Sequence, residues 1–149
     1  MAITDTQYYR VLGLNHWKDS LHRPADWIIG QDDFESNGMN RYQLQPQSNS
    51  LNWCYDAHFF ESGLLVADTG NSRILWYPEL PDRHGMEATS VIGPANFTTG
   101  SENEGTRFGT ENALYWPFSV SLAGNRLALA DTGNHRIVFY DLNQQQLYD

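Results

Sequence analysis

Cysteine is nearly absent from this 149-residue chain, and its one copy, Cys54, excludes an intramolecular disulfide framework. No Cys/His pair at zinc-finger spacing accompanies it, so Cys54 is expected to be a buried small hydrophobe. Positive charge is scarce too: nine Lys and Arg stand against 18 Asp and Glu, a formal net charge of -9 at pH 7. Such a surface repels phosphate and anionic lipid, which argues against nucleic acid and membrane as partners. No basic segment followed by an apolar one opens the chain, and no uncharged apolar run nears the roughly 20 residues of a membrane-spanning helix. The expectation is a soluble, cytoplasmic protein, either one ordinary domain or a piece of a larger ring. Aromatic residues, by contrast, are plentiful: five Trp and eight Tyr contribute to 13% aromatic and 40% hydrophobic content, ample for a packed interior.

The strongest pattern is a repeat. Leu64-Leu65-Val66-Ala67-Asp68-Thr69-Gly70-Asn71-Ser72-Arg73-Ile74-Leu75-Trp76-Tyr77 is echoed by Leu127-Ala128-Leu129-Ala130-Asp131-Thr132-Gly133-Asn134-His135-Arg136-Ile137-Val138-Phe139-Tyr140, at an offset of 63 positions (131 − 68). The same offset relates Ile29-Gly30 to Ile92-Gly93, Phe34 to Phe97, Asn49 to Asn112, Leu51 to Leu114 and Trp53 to Trp116. A further step back places Asp68-Thr69 on Asp5-Thr6 and Arg73-Ile74-Leu75 on Arg10-Val11-Leu12, a degenerate copy with Gln7 and Tyr8 at the Gly and Asn positions. The chain divides into a partial unit (1–14), two repeats (15–77 and 78–140) and a tail (141–149).

Each repeat contains short β segments. Leu64 to Ala67 and Leu127 to Ala130 are continuous apolar runs, and Ile74 to Tyr77 and Ile137 to Tyr140 are β-branched and aromatic, the composition of strands covered on both faces. Between them, Asp-Thr-Gly-Asn is turn chemistry: Gly70 and Gly133 are expected to take positive φ, with the Asp side chains accepting hydrogen bonds from turn N–H groups. Another segment ends at Gly30 or Gly93, and a fourth starts at Trp53 or Trp116. Four strands per repeat without helical periodicity predict all-β architecture in β-propeller blades of four antiparallel strands.

The segments Val66 to Ile74 and Leu129 to Ile137 resemble the signature of the NHL-repeat family. That resemblance implies a propeller, commonly six-bladed. Family functions include binding protein or RNA, and related propellers carry lyase or metal-dependent lactonase activity; fold alone does not choose among them. Ten strands are counted along the chain, about two and a half blades, so closure is expected to come from another chain. A two-fold homodimer is the simplest assembly, with another propeller-fragment chain as the second possibility.

Candidate chemistry is sparse. Asp68, Asn71, Arg73 and their equivalents Asp131, Asn134, Arg136 recur with each copy, as does the pair Asp5 and Arg10. Recurrence marks structural turn residues, because a catalytic site uses a residue once. Asp56 and His58 are particular to one repeat, standing where Ser119 and Ser121 stand in the next, and they share one face of a strand of period two. If that strand is innermost, as the resemblance implies, the pair would approach the central channel, either as binding residues or as hydrogen-bonded surface groups. No nucleophile elbow, phosphate loop or zinc motif is present, so no catalytic residue, metal or cofactor is assigned.

Gln31 to Asn52 and Pro94 to Tyr115 are long polar stretches with isolated aromatics, Phe34, Tyr42, Phe97 and Phe108. Loops of this length are often functional, and their repetition would place them on one face of the ring. They would serve either as a binding rim or as lids packed over neighbouring blades. Two functions follow from different classes. One is a non-catalytic binding or scaffold module that assembles with itself or a partner chain and presents its loop face to a protein or peptide. The other is a metal-dependent hydrolase or lyase at the channel mouth.

Overall fold

The β-branched and aromatic runs form strands, and the computed structural model, which describes residues 1–16, 18 and 22–141, is all-β. Among the described residues there are ten strands: β1 (Ala2–Asp5), β2 (Arg10–Gly13), β3 (Trp27–Ile29), β4 (Cys54–Phe60), β5 (Gly63–Asp68), β6 (Arg73–Tyr77), β7 (Ser90–Ile92), β8 (Pro117–Ala123), β9 (Arg126–Asp131) and β10 (Arg136–Asp141). They make three antiparallel sheets in the orders β1-β2-β3, β4-β5-β6-β7 and β8-β9-β10. Beyond Asp141, the tail expected at 141–149 lies outside the described residues. No helix among the described residues is long and apolar enough to cross a membrane.

The expectation of four strands per sheet holds only in the middle. By the 63-residue correspondence β1, β2 and β3 match β5, β6 and β7, so among the described residues the first sheet lacks a counterpart of β4. Likewise β8, β9 and β10 match β4, β5 and β6, so the last sheet lacks a counterpart of β7 among the described residues. The repeat written 15–77 therefore gives β3 to one sheet and β4 to β6 to the next. That follows from register: Val11 pairs with Ile29 and Gly13 with Trp27, closing the first sheet before the loop to β4 begins.

Two cores separate the three sheets, and the period-two alternation of β5 and β6 serves both. Leu64, Val66, Leu75 and Tyr77 face the first sheet, packing with Val11, Trp27, Ile29, Leu51 and Cys54. Leu65, Ala67, Ile74 and Trp76 face the last sheet, packing with Leu114, Val120, Leu127 and Leu129. Each fully buried side chain of this size contributes roughly 1.5–3 kcal/mol relative to exposure. Strand β4 lies beside β1 on one side and β8 on the other. Hydrogen bonds stitch the same boundary: Thr6 Oγ1 donates to the Cys54 carbonyl (2.8 Å), and its equivalent Thr69 Oγ1 donates to the Pro117 carbonyl (2.6 Å).

The expectation that the last strand of each repeat is covered on both faces is met in β6 and not in β10. Ile74 and Trp76 are 0% and 1% exposed, whereas their equivalents Ile137 and Phe139 are 58% and 64% exposed. Within β10 only Val138 and Tyr140 reach a core. The residue types agree, but among the described residues no fourth sheet stands against this face.

Candidate functional site

The repeated turn is a buried polar hub. Asp68, fully buried, accepts from the Asn52 backbone N–H (2.7 Å) on one oxygen and from Asn71 Nδ2 (2.8 Å) and Arg73 Nε (2.7 Å) on the other. The Arg73 guanidinium, also fully buried, spends its remaining donors on the carbonyls of Phe97, Gln47 and Ser50. Burial pushes the Asp68 carboxyl up from its ordinary range, and the Arg73 charge opposes that push. The last sheet repeats the hub: Asp131 accepts from the Tyr115 N–H (2.7 Å), Asn134 (2.8 Å) and Arg136 Nε (2.7 Å). The N–H that each Asp accepts belongs to the segment leading into β4 or β8, sixteen residues earlier, and not to its own turn as expected. The Asp thereby welds the start of the inner strand to the turn.

The turn glycines also differ from expectation. Neither Gly70 nor Gly133 has positive φ; the left-handed residues are Tyr9 (φ 53), Ser72 (φ 54) and His135 (φ 54), each just after a short 3-10 turn. Glycine is required there for close approach. A Cβ on Gly70 would sit 2.6 Å from Asn52 Cγ and 2.8 Å from the Asn52 carbonyl oxygen, and on Gly133 2.4 Å from Tyr115 Cγ and 2.7 Å from the Tyr115 carbonyl oxygen.

The long loops are pinned to these turns by paired asparagines. Asn40 and Asn71 exchange reciprocal amide hydrogen bonds (3.0 and 2.8 Å), and Asn103 and Asn134 do the same (2.9 and 2.8 Å). Asn40 and Asn103 both adopt φ 48, a left-handed conformation that Asn tolerates better than most residues. The offset of 63 was the available signal for Asn40 and Asn103, which sequence reasoning missed. Beside each pair lies an open hollow, about 390 Å³ next to Asn40 and Asn71 and about 410 Å³ next to Asn103 and Asn134.

The four loop aromatics do not converge. Phe97 packs against the first core, while Phe34 sits at the surface with its ring edge-on to His84 (5.0 Å). Tyr42 is exposed and donates its hydroxyl hydrogen bond to Asn37 (2.8 Å); Phe108 is exposed beside the Arg107 guanidinium. Phe34 and Phe97 do share one contact, since their carbonyls accept from Arg10 and Arg73 respectively.

Asp56 and His58 lie on β4, where a bulge between Cys54 and Asp56 shifts the register. Asp56 is committed across the sheet boundary: its carboxylate accepts from the Val120 N–H of β8 (2.9 Å). His58 is half-buried opposite Leu65. Among the described residues no group of three or more His, Cys, Asp or Glu is placed to hold a metal ion. Cys54 is buried and donates to the Arg10 carbonyl (3.2 Å), and burial pushes its thiol pKa far above the ordinary value.

What the structure does assemble is an aromatic cleft. Trp53, Tyr55, Trp116 and Phe118, at the starts of β4 and β8, line a hollow of about 90 Å³ together with Thr69 and Gly70. All four rings are exposed, and Tyr55 and Phe118 lie 4.6 Å apart between centroids. Trp53 and Trp116 take φ 48 and 49. Left-handed backbone at a bulky residue costs about 1–2 kcal/mol, and such strain clusters at functional sites. Sequence reasoning passed over Tyr55 and Phe118, although the spacing Trp-x-Tyr and Trp-x-Phe recurs at the repeat offset. Compared with protein-family models and with curated proteins, the chain matches none of them.

Proposed function

We propose that this chain is a non-catalytic binding and scaffold module of the NHL-propeller kind, which assembles with itself or a partner chain and presents its loop end to a protein or peptide. The observation that carries the proposal is the contrast between Ile74 and Trp76, at 0% and 1% exposure, and their equivalents Ile137 and Phe139, at 58% and 64%. Two apolar side chains held largely in water forgo part of the roughly 1.5–3 kcal/mol that full burial of each contributes, which a covering surface would recover.

The polar groups support a structural rather than a chemical role. Asp68 with Arg73 and Asp131 with Arg136 are tied to backbone carbonyls and N–H groups, and Asp56 is tied to the Val120 N–H. Exposed apolar and aromatic groups stand among the polar ones of the long loops: the cleft between Trp53 and Phe118, with Met39 and Leu44 exposed on the first long loop. Aromatic side chains supply large rigid contact area at small entropic cost, which suits peptide recognition. Native mass spectrometry at micromolar concentration tests the assembly. A species larger than the 17.0 kDa chain is expected; a compact, cooperatively unfolding monomer would refute the proposal.

A further inference from the structure

We infer that the cleft between Trp53 and Phe118 seats a cation, the guanidinium of an arginine in a basic peptide segment of a partner. The inference rests on the binding role proposed above and gives that partner its chemistry.

The walls of the cleft select for charge rather than for apolar bulk. Both cores of the molecule are built mainly from Leu, Ile and Val. The cleft has none of these: Trp53, Tyr55, Trp116 and Phe118 line it with Thr69 and Gly70. An apolar ligand gains from aliphatic and aromatic walls alike, in proportion to the area buried. Only an aromatic face, negative at the centre of its quadrupole, also attracts a positive charge. The chain makes this pairing itself, with the Arg10 guanidinium over the Tyr8 ring (4.8 Å to the centroid) and that of Arg107 over Phe108 (5.5 Å). The lining of the cleft holds no cation of its own.

Charge complementarity acts at two ranges. Asp56 follows Tyr55 on β4, and its carboxylate accepts from the N–H of Val120, two residues beyond Phe118 on β8 (2.9 Å). Among the described residues Asp56 has no ion-pair partner. An unneutralised carboxylate therefore stands at the seam between the two strands that carry Tyr55 and Phe118. At longer range the net charge of -9 draws cations toward the surface. Arginine suits both features: its guanidinium stacks flat on aromatic faces, sheds water more readily than an ammonium, and offers N–H donors to a carboxylate.

The rings are set in place before a ligand arrives. The residue ahead of each Trp is fixed by a turn carboxylate, the Asn52 N–H by Asp68 and the Tyr115 N–H by Asp131 (2.7 Å each). Thr69 Oγ1 holds the Pro117 carbonyl, between Trp116 and Phe118. Groups already fixed lose little freedom on binding. Every lining residue falls between Trp53 and Phe118, on two sheets that pack together.

A short peptide blocked at both ends, with one arginine as its only charge, tests the seat against its citrulline counterpart, which has the same shape and no charge. Binding is followed through the NMR shifts of the Trp53 and Trp116 indole N–H groups, assigned by Trp53→Phe and Trp116→Phe, at about 150 mM salt, where distant surface charges are screened. The arginine peptide is expected to shift both signals saturably, and the citrulline peptide to bind about tenfold more weakly. The double variant Tyr55→Leu, Phe118→Leu keeps the net charge and alters exposed positions; it is expected to keep the parent's circular dichroism spectrum and to bind the arginine peptide about tenfold more weakly. Asp56→Asn, whose amide oxygen still accepts from the Val120 N–H, is expected to weaken the arginine peptide about threefold and to leave the citrulline peptide unchanged. Equal binding of the two peptides to the parent overturns the inference and leaves a binding module whose cleft takes neutral peptide. Undiminished arginine binding by the folded double variant overturns it as well, because net charge then accounts for the attraction. If that variant does not fold, the two peptides on the parent chain still decide. Absence of shifts with either peptide also overturns the inference, while the proposed assembly stands or falls separately on the native mass of the parent.

Discussion

Removing the turn carboxylate is expected to cost more in the middle sheet than in the last, although the two turns share the same residues. Asp68→Ala deletes the acceptor of three donors and leaves the guanidinium of Arg73 wholly inside the protein, where both partners were 0% exposed. Arg73 keeps its contacts to the carbonyls of Gln47, Ser50 and Phe97, which are dipoles and do not neutralise a charge. Breaking a fully buried ion pair by removing one member costs about 3–5 kcal/mol. In Asp131→Ala the orphaned Arg136 side chain is 31% exposed, so water solvates the released charge. The loss there falls to that of the charge-assisted hydrogen bonds, about 1–3 kcal/mol, most of it from the Tyr115 N–H and Asn134. Urea unfolding followed by circular dichroism, at one fixed protein concentration for all three chains, measures both values. Equal losses, or a larger loss for Asp131→Ala, would refute the argument from burial.

Gly133→Ala, a substitution whose φ is permissible, is expected to destabilise by about 1–3 kcal/mol because its Cβ meets the Tyr115 ring and backbone oxygen. Gly133→Ala as stable as the parent in urea would show that the close approach relaxes without cost. Cys54, buried with its thiol held protonated, is expected to resist alkylation between pH 7 and about 9 in the folded chain and to react promptly in urea. Labelling of the folded chain at the rate of a free thiol would mean that the first two sheets separate readily.

The repeat made the secondary structure legible. Six of the ten strands follow from the runs around Asp68 and Asp131 and their degenerate copy at Asp5, because an apolar run ending in turn chemistry needs only local preferences to be recognised; the other four follow from the segments ending at Gly30 and Gly93 and starting at Trp53 and Trp116. The structural character of Asp68, Asn71 and Arg73 was legible too, from recurrence alone. The reason for Gly70 was not. Turn rules assign glycine to positive φ, yet the left-handed position fell to Ser72, and glycine answers to the approach of Asn52, eighteen residues away. The cleft was hidden for a related reason: Trp53 and Phe118 lie far apart in sequence and become neighbours only when β4 and β8 pack side by side.

By itself the sequence determined what its short-range chemistry can encode: strand identity, the position of each turn, the 63-residue period and the alternation that assigns residues to opposite faces. Tertiary structure alone decided which of those faces lost their water. Ile74 and Ile137 are the same residue in the same motif on equivalent strands, yet one is sealed and the other is open. Burial is a property of what stands opposite: the Ile74 face of the middle sheet meets the last sheet, while the Ile137 face of the last sheet meets solvent.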